Sequence, residues 1–267
     1  MKKSVLVFAS AIYLVGFGIS EIVFAQKWAD LTMTVYLHGD VPKRKPQQAN
    51  PQAGGRVVPI ITADLEVDPE TKAIKNIVFM VDSKRTVLGA NQLHPDSRDV
   101  PKDKPKMEVI DYKFVPHILA VRAGQTLVSK SRGPGGHNPK FSFFKNNEVG
   151  QIIPAGADRE IAIQVPEPGS TKVECSIHPW MVGYVIVTDH PYVGISDASG
   201  KIKIDKLPAG IELHFKLWHE SQNRYIEEVS IDGKQESWKK GIVKLVLKEG
   251  VNDFGDLLIK PERFRNH

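Results

Sequence analysis

The sequence predicts an all-β protein, one β-sandwich followed by a smaller second β-sandwich. Three observations predict it. Beyond residue 26, short runs rich in β-branched and aromatic residues recur at roughly 8–12-residue spacing. Turn signals built on Gly, Pro and Asp separate those runs. Helix-period patterns are weak throughout the same stretch.

The elements follow in chain order. Met1-Lys2-Lys3, an apolar run from Val5 to Ile19 and the end Val23-Phe24-Ala25, with a compact aliphatic residue at −3 and Ala at −1, read as a secretory signal peptide over 1–25, cleaved before Gln26. The apolar run is roughly 15 residues against the ~20 a helix needs to cross a bilayer. Glu21 also interrupts it, so no stable membrane span is expected after signal cleavage. The mature protein is expected to be periplasmic or secreted.

Residues 26–106 read as an N-terminal β-rich extension. Its strand candidates are Thr32 to Leu37, Val57 to Ile61 and Ile77 to Val81. Pro42, Pro46, Pro51, Gly54 and Gly55 mark a loop, Asp68-Pro69-Glu70-Thr71 a turn, and Asn91 to Lys106 a surface loop. The extension is expected to pack on the unit that follows it.

From residue 107 to 190 the strand signal sharpens. Met107 to Tyr112, Phe114 to Val121, Thr126 to Val128, Phe141 to Phe143, Ile161 to Val165, Thr171 to Glu174 and Gly183 to Val187 are separated by turns at Ala123-Gly124-Gln125, Pro154-Ala155-Gly156 and Pro166 to Ser170. Residues 191–262 read as a separate small sandwich, with strict alternation in Lys201-Ile202-Lys203-Ile204 and in Ile211 to Trp218. At about 70 residues it lies near the lower size limit for a self-standing core.

Composition narrows the function classes. The formal net charge is only +5 over 267 residues, and the basic residues are scattered. No nucleic-acid motif is present, and export argues against nucleic acid as a partner. The chain has one cysteine, Cys175. A lone cysteine excludes an internal disulfide, a c-type haem attachment, a zinc ribbon and a binuclear copper centre on two thiolates.

That cysteine sits in Cys175-Ser176-Ile177-His178-Pro179-Trp180-Met181, downstream of Gly136-His137-Asn138. Two imidazoles, one thiolate and a weak axial thioether are the ligand set of a blue-copper electron-transfer site. The soft sulfur donors suit Cu(I) and the imidazoles also suit Cu(II), so one site tolerates both states. The candidate ligands are therefore His137, Cys175, His178 and Met181, around one type 1 copper. A tight loop can curl residues three apart around one point, with Cys175 ending one strand and Met181 beginning the next. Pro179 stiffens that loop by fixing its φ, Trp180 can cover the site, and Asn138 can hydrogen-bond the neighbouring ligand loop. His117, after Pro116 on an apolar stretch, reads as a packed strand residue. His214 and His219 lie five apart in a strand pattern, on opposite faces, and Trp218 reads as core.

The run from Glu174 to Val185 closely resembles the copper loop of the cupredoxins. It is most similar to the amicyanin type, with two residues between successive ligands. His137-Asn138 matches the family's first-ligand segment, and Pro154-Ala155-Gly156 its turn before the penultimate strand. The resemblance covers roughly Glu108 to Asp189 and implies a cupredoxin Greek-key β-sandwich. It also implies that His178 is the exposed-edge ligand through which the electron leaves, beside a docking patch that includes Pro179 and Trp180. One departure is that Lys130 and Arg132 stand where the family often carries Asn and an acidic residue. Downstream, Gly200, Leu207-Pro208-Ala209-Gly210 and Trp218-His219-Glu220 resemble a carboxypeptidase-regulatory or transthyretin-like sandwich.

The expected function is that of a secreted blue-copper protein carrying single electrons between redox partner proteins, which the sequence does not identify. A copper-binding or copper-delivery protein would use the same ligands. A binding module led by the C-terminal sandwich is the third reading. No enzymatic turnover is expected, because an oxidase or nitrite reductase needs further copper ligands, such as a His-Cys-His run, that the sequence lacks.

Overall fold

The computed structural model describes residues 26–42, 47–49, 58–60, 65–132, 135–221 and 225–264. The expected signal peptide, parts of the Val57 to Ile61 strand and most of the Pro/Gly loop before it lie outside the described residues. Strand dominates the described chain, and it forms four large sheets plus a two-stranded ribbon of Gln47–Ala49 and Val58–Ile60. The all-β expectation holds.

Sheet I runs, edge to edge, Asp158–Ala162, Thr126–Ser131, Lys106–Ile110 and Lys113–Val115. Sheet II runs Val149–Gly150, Pro139–Phe141, Ser170–Cys175, Val182–Thr188 and Ile118–Arg122. Period-2 alternation turns one face of each sheet inward. Met107, Val109, Phe114, Leu127 and Ile161 from sheet I meet Phe141, Val173, Cys175, Val185 and Val187 from sheet II in one core. The candidate metal ligands sit within this sandwich.

Sheet III runs Val193–Ile195, Val78–Val81, Glu212–Trp218 and Ile242–Val246. Sheet IV runs Lys201–Pro208, Trp28–Leu37, Gly250–Ile259, Glu228–Ile231 and Lys234–Ser237. Together they enclose the larger core, in which Phe79 and Phe215 stack at 4.7 Å between ring centres. Gly194 permits the close approach of the two sheets. A Cβ there would lie 2.5 Å from a methyl of Ile202 and 2.9 Å from Ile204.

Here the expected organisation is corrected. Residues 26–106 do pack on the first sandwich, Val78 and Met80 against Ile118 and Ile186 and the Ser97 and Asp99 carbonyls on Arg122, but among the described residues their strands before Lys106 do not join its sheets. Trp28–Leu37 lies in the middle of sheet IV, antiparallel to Lys201–Pro208 and parallel to Gly250–Ile259, and Val78–Val81 lies inside sheet III. The second sandwich is therefore assembled from both ends of the chain, with the first sandwich inserted between them. The N-terminal strand reads as a half-buried surface, with Ala29, Leu31, Met33, Val35 and Leu37 inward. Hydrophobic alternation fixes which face is buried, but it carries no record of which core receives it.

Sheets II and III also pack face to face. Val78 and Met80 point away from the large core toward Ile118 and Ile186, and Trp218 meets Tyr184 edge-on at 5.1 Å. Polar contacts flank this apolar junction. The buried side chains of His117, from the first sandwich, and Glu220, from the second, form a hydrogen-bonded pair. Asp82 and Lys216 form a second buried pair at 2.8 Å, and Arg85 also bonds Asp82. His117 is thus packed, as expected, but its ring spans the junction.

The connecting residue His190 is buried against Val81. Its Nε2 donates to the Val81 carbonyl at 3.1 Å, and its Nδ1 accepts from the Tyr192 N–H at 3.2 Å, which requires the neutral ring. Burial is the main cause that holds its pKa below the ordinary value, outweighing the attraction of Asp189. For Asp82, burial pushes upward, but hydrogen bonds from Lys216 and Arg85 together pull the carboxyl below its usual range. The signs agree. An unfolded histidine takes up a proton below about pH 6.5, and an unfolded aspartate below about pH 3.9. Stability is expected to be greatest above about pH 6.5, to fall as His190 is forced to charge, and to fall again as pH drops through the folded-state range of Asp82. Urea midpoints measured from pH 8 to pH 3 check this. A midpoint that stays flat between pH 7 and pH 5 contradicts the His190 assignment.

Candidate metal centre

The candidate ligand loop is held by its own backbone. The His178 N–H donates to the Cys175 carbonyl at 3.1 Å, and the Met181 N–H to the His178 carbonyl at 2.9 Å. Each bond closes a turn from residue i to i+3, so the three-residue spacing brings positions 175, 178 and 181 back to one side in succession. The Cys175 N–H bonds the Met181 carbonyl at 3.2 Å and closes the loop at its base. Cys175 is the last residue of the Ser170–Cys175 strand, and Met181 directly precedes Val182–Thr188, as the sequence predicts.

His137 arrives on the adjacent strand connection. It exchanges two backbone hydrogen bonds with Ile153, at 3.1 and 2.7 Å, just before Pro139–Phe141 pairs with the Cys175 strand. Asn138 does contact the ligand loop, but through its main chain. Its carbonyl accepts from the Ser176 N–H at 3.1 Å.

Three of the four predicted donors converge. The donor atoms of His137, Cys175 and His178 all lie within 4.8 Å of one another. The Cys175 Sγ is 4.0 Å from His137 Nδ1 and 3.5 Å from His178 Nδ1. An ion in a trigonal arrangement, bonded at about 2.3 Å to sulfur and about 2.0 Å to nitrogen, sets this separation at about 3.8 Å. The two distances bracket that value. His137, Cys175 and His178 are 0, 1 and 7% exposed. Met181 is equally buried, in the same core cluster as Cys175. Among the described residues no comparable cluster of donors forms around His214 or His219.

No protein-family model matches this chain, and no curated protein does. Solved structures similar to part of it are cupredoxins. A reduced Cu(I) amicyanin variant is 22% identical, covers 34% of this chain and 87% of its own, and has a TM-score of 0.29. A purple cupredoxin from Nitrosopumilus maritimus is 21% identical over 32% of this chain and 100% of its own, with a TM-score of 0.28. A copper-containing nitrite reductase from Thermus scotoductus SA-01 is 17% identical over 36% of this chain and 25% of its own, with a TM-score of 0.30.

One feature of the site differs from the sequence reading. His178 is not an exposed edge. Its ring lies between Tyr112, at 5.0 Å, and Trp180, at 5.2 Å, which together screen it from solvent. The side chains of Lys130 and Arg132 point their charges elsewhere. Lys130 pairs with Asp158 at 3.0 Å, and Arg132 lies 3.6 Å from Glu108 and 3.8 Å from Asp158.

Tyr112 is the site residue that sequence reasoning missed. It sits with Asp111 in a two-residue hairpin between paired residues Ile110 and Lys113. Both turn residues have positive φ, 47° and 57°. Such turns strongly favour Asn-Gly, and the left-handed conformation costs a residue with a Cβ about 1–2 kcal/mol. The available signal was two alternating strands separated by two residues with no glycine between them. Tyr112 also touches the His137 ring, at 5.7 Å.

Proposed function

We propose that His137, Cys175 and His178, with Met181 as a weak axial donor, hold one copper ion, and that the protein carries single electrons between partner proteins outside the cytoplasm. The observation that carries this reading is the convergence of one sulfur and two imidazole nitrogens in a dry, preformed pocket at metal-ligand spacing. Met181, buried in the same core cluster as Cys175, offers a thioether, and a thioether donor would favour copper over zinc, whose protein ligands are Cys, His and carboxylates. When bound, copper supplies a centre that takes up and gives up one electron.

The chain's own residues do the rest. The two turns of the ligand loop orient Cys175, His178 and Met181 before any ion arrives. The bond from Ser176 to Asn138 locks the His137 segment to that loop. The core of the first sandwich excludes water from one side of the site, and Tyr112 and Trp180 exclude it from the other. Rigid placement of this kind minimises rearrangement between two metal oxidation states. The exposed Ile177 and Ile152, on the two loops that carry the site, together with Pro179, offer an apolar patch where a redox partner protein could dock. Copper delivery needs ligands that solvent or an acceptor can reach, so the burial of His178 disfavours that reading.

The test is an optical and EPR spectrum of the Gln26–His267 protein loaded with Cu(II). An intense visible thiolate-to-copper band with narrow copper hyperfine splitting is expected. A colourless protein with an ordinary tetragonal copper signal, or one that takes up no copper, contradicts the proposal.

A further inference from the structure

Tyr112 reaches the ligands from the other sheet. The candidate donors lie on sheet II and its loops, whereas Tyr112 stands at the tip of the sheet I hairpin, in a backbone conformation that glycine adopts freely and tyrosine does not. A bulky residue at positive φ is an outlier, and strained residues of this kind concentrate at functional sites. Tyr112 is half-buried and packs only on the margin of the core of the first sandwich. What the ring does gain is edge-on contact with both candidate ligand imidazoles, at interplanar angles of 65° and 70°. Those imidazoles are 4.9 Å apart, so a single ring covers the pair. Trp180 lies against His178 as well, but it belongs to the ligand loop and is placed by that loop.

We propose that Tyr112 is a fixed lid over the metal centre, and that its strained turn is kept because it places the ring. The lid bars water and small anions from the ligand histidines and slows loss of the ion. In the metal-free protein the same ring bars reagents from Cys175, whose Sγ lies 4.0 and 3.5 Å from the Nδ1 atoms of the two imidazoles. The metal part of this inference rests on the copper reading above, while the thiol part does not.

The substitution Tyr112→Gly removes the ring and suits the turn, so it separates the lid from a merely structural role. Tyr112→Phe keeps the ring. Val109→Ala is the control, because Val109 is fully buried in the same core and has no place in the donor cluster. Each full-length variant is alkylated without metal, using iodoacetamide, and then loaded with Cu(II) and challenged with excess EDTA and, separately, with azide. Urea midpoints of the metal-free proteins are measured in parallel.

In Tyr112→Gly, Cys175 alkylation and copper loss are both expected to accelerate at least about tenfold, and azide is expected to alter the optical spectrum. Tyr112→Phe is expected to match the parent within about twofold in every assay. Val109→Ala is expected to lower the urea midpoint while leaving both rates near those of the parent. The lid is refuted if Tyr112→Gly matches the parent in alkylation, or if Val109→Ala accelerates both rates as much as Tyr112→Gly does. A parent protein that binds no copper refutes the copper reading, and the alkylation rates still decide the lid.

Discussion

Cys175→Ala is expected to abolish the intense visible band of the copper-loaded protein completely while leaving the fold intact. The asymmetry comes from what the sulfur does in each state. Structurally, Cys175 is a small buried side chain in a core also lined by Val173, Phe141 and Met181. A free buried cysteine behaves there as a small hydrophobe, so truncation to alanine costs about 1 kcal/mol, the size of one buried methylene. Chemically, Cys175 is the only thiolate the chain can offer, and the band is a thiolate-to-copper transition. Far-UV circular dichroism and the metal-free urea midpoint should therefore barely change while the band disappears. Met181→Leu provides the contrast. An axial thioether is a weak, long ligand that tunes the potential rather than creating the site. The band should persist while the reduction potential shifts, because the axial ligand tunes it. A band that survives Cys175→Ala would refute the ligand assignment outright.

The candidate site is unusually legible because its information is local. Three-residue spacing, strand ends on either side and a proline inside the loop are all properties of Cys175 to Met181. The structure closes that loop with three backbone hydrogen bonds among Cys175, His178 and Met181. His137 is less local, but it needed only one further strand connection at the same end of the sandwich. What sequence reasoning missed has no local mark. Tyr112 looks like one more residue at a strand end, because a two-residue turn without glycine does not advertise itself. His178 looks exposed by analogy, and it is buried by Tyr112 arriving from sheet I together with Trp180 of its own loop. His117 and Glu220 each read as ordinary residues, since a buried pair that spans two sandwiches is visible only when both partners are placed.

The same limit governs the second sandwich and leads to the prediction with the largest structural effect. Residues 191–267 expressed alone are expected to be unfolded, although their alternation suggests a self-standing unit. The missing piece is the Trp28–Leu37 strand, hydrogen-bonded on both sides within sheet IV. Without it, Lys201–Pro208 and Gly250–Ile259 each present an unpaired edge, and the facing core loses Leu31, Met33, Val35 and Leu37. Burying four such side chains contributes about 1.5–3 kcal/mol each. Their sum is comparable with the entire net stability of a domain, about 5–15 kcal/mol. Loss of Val78–Val81 from the middle of sheet III removes Phe79 from its stack on Phe215 as well. Residues 107–190 differ, because apart from Lys106 sheets I and II draw all their strands from within those limits. That fragment should fold and keep its metal site, with Ile118, Tyr184 and Ile186 newly exposed on the face that sheet III covers. Amide proton spectra of the two fragments decide the matter. Poor dispersion for 191–267 and good dispersion for 107–190 are expected. A well-dispersed spectrum and a cooperative urea transition for 191–267 would show that the C-terminal strands close their own core, and that the N-terminal strand merely adds to a sandwich already formed.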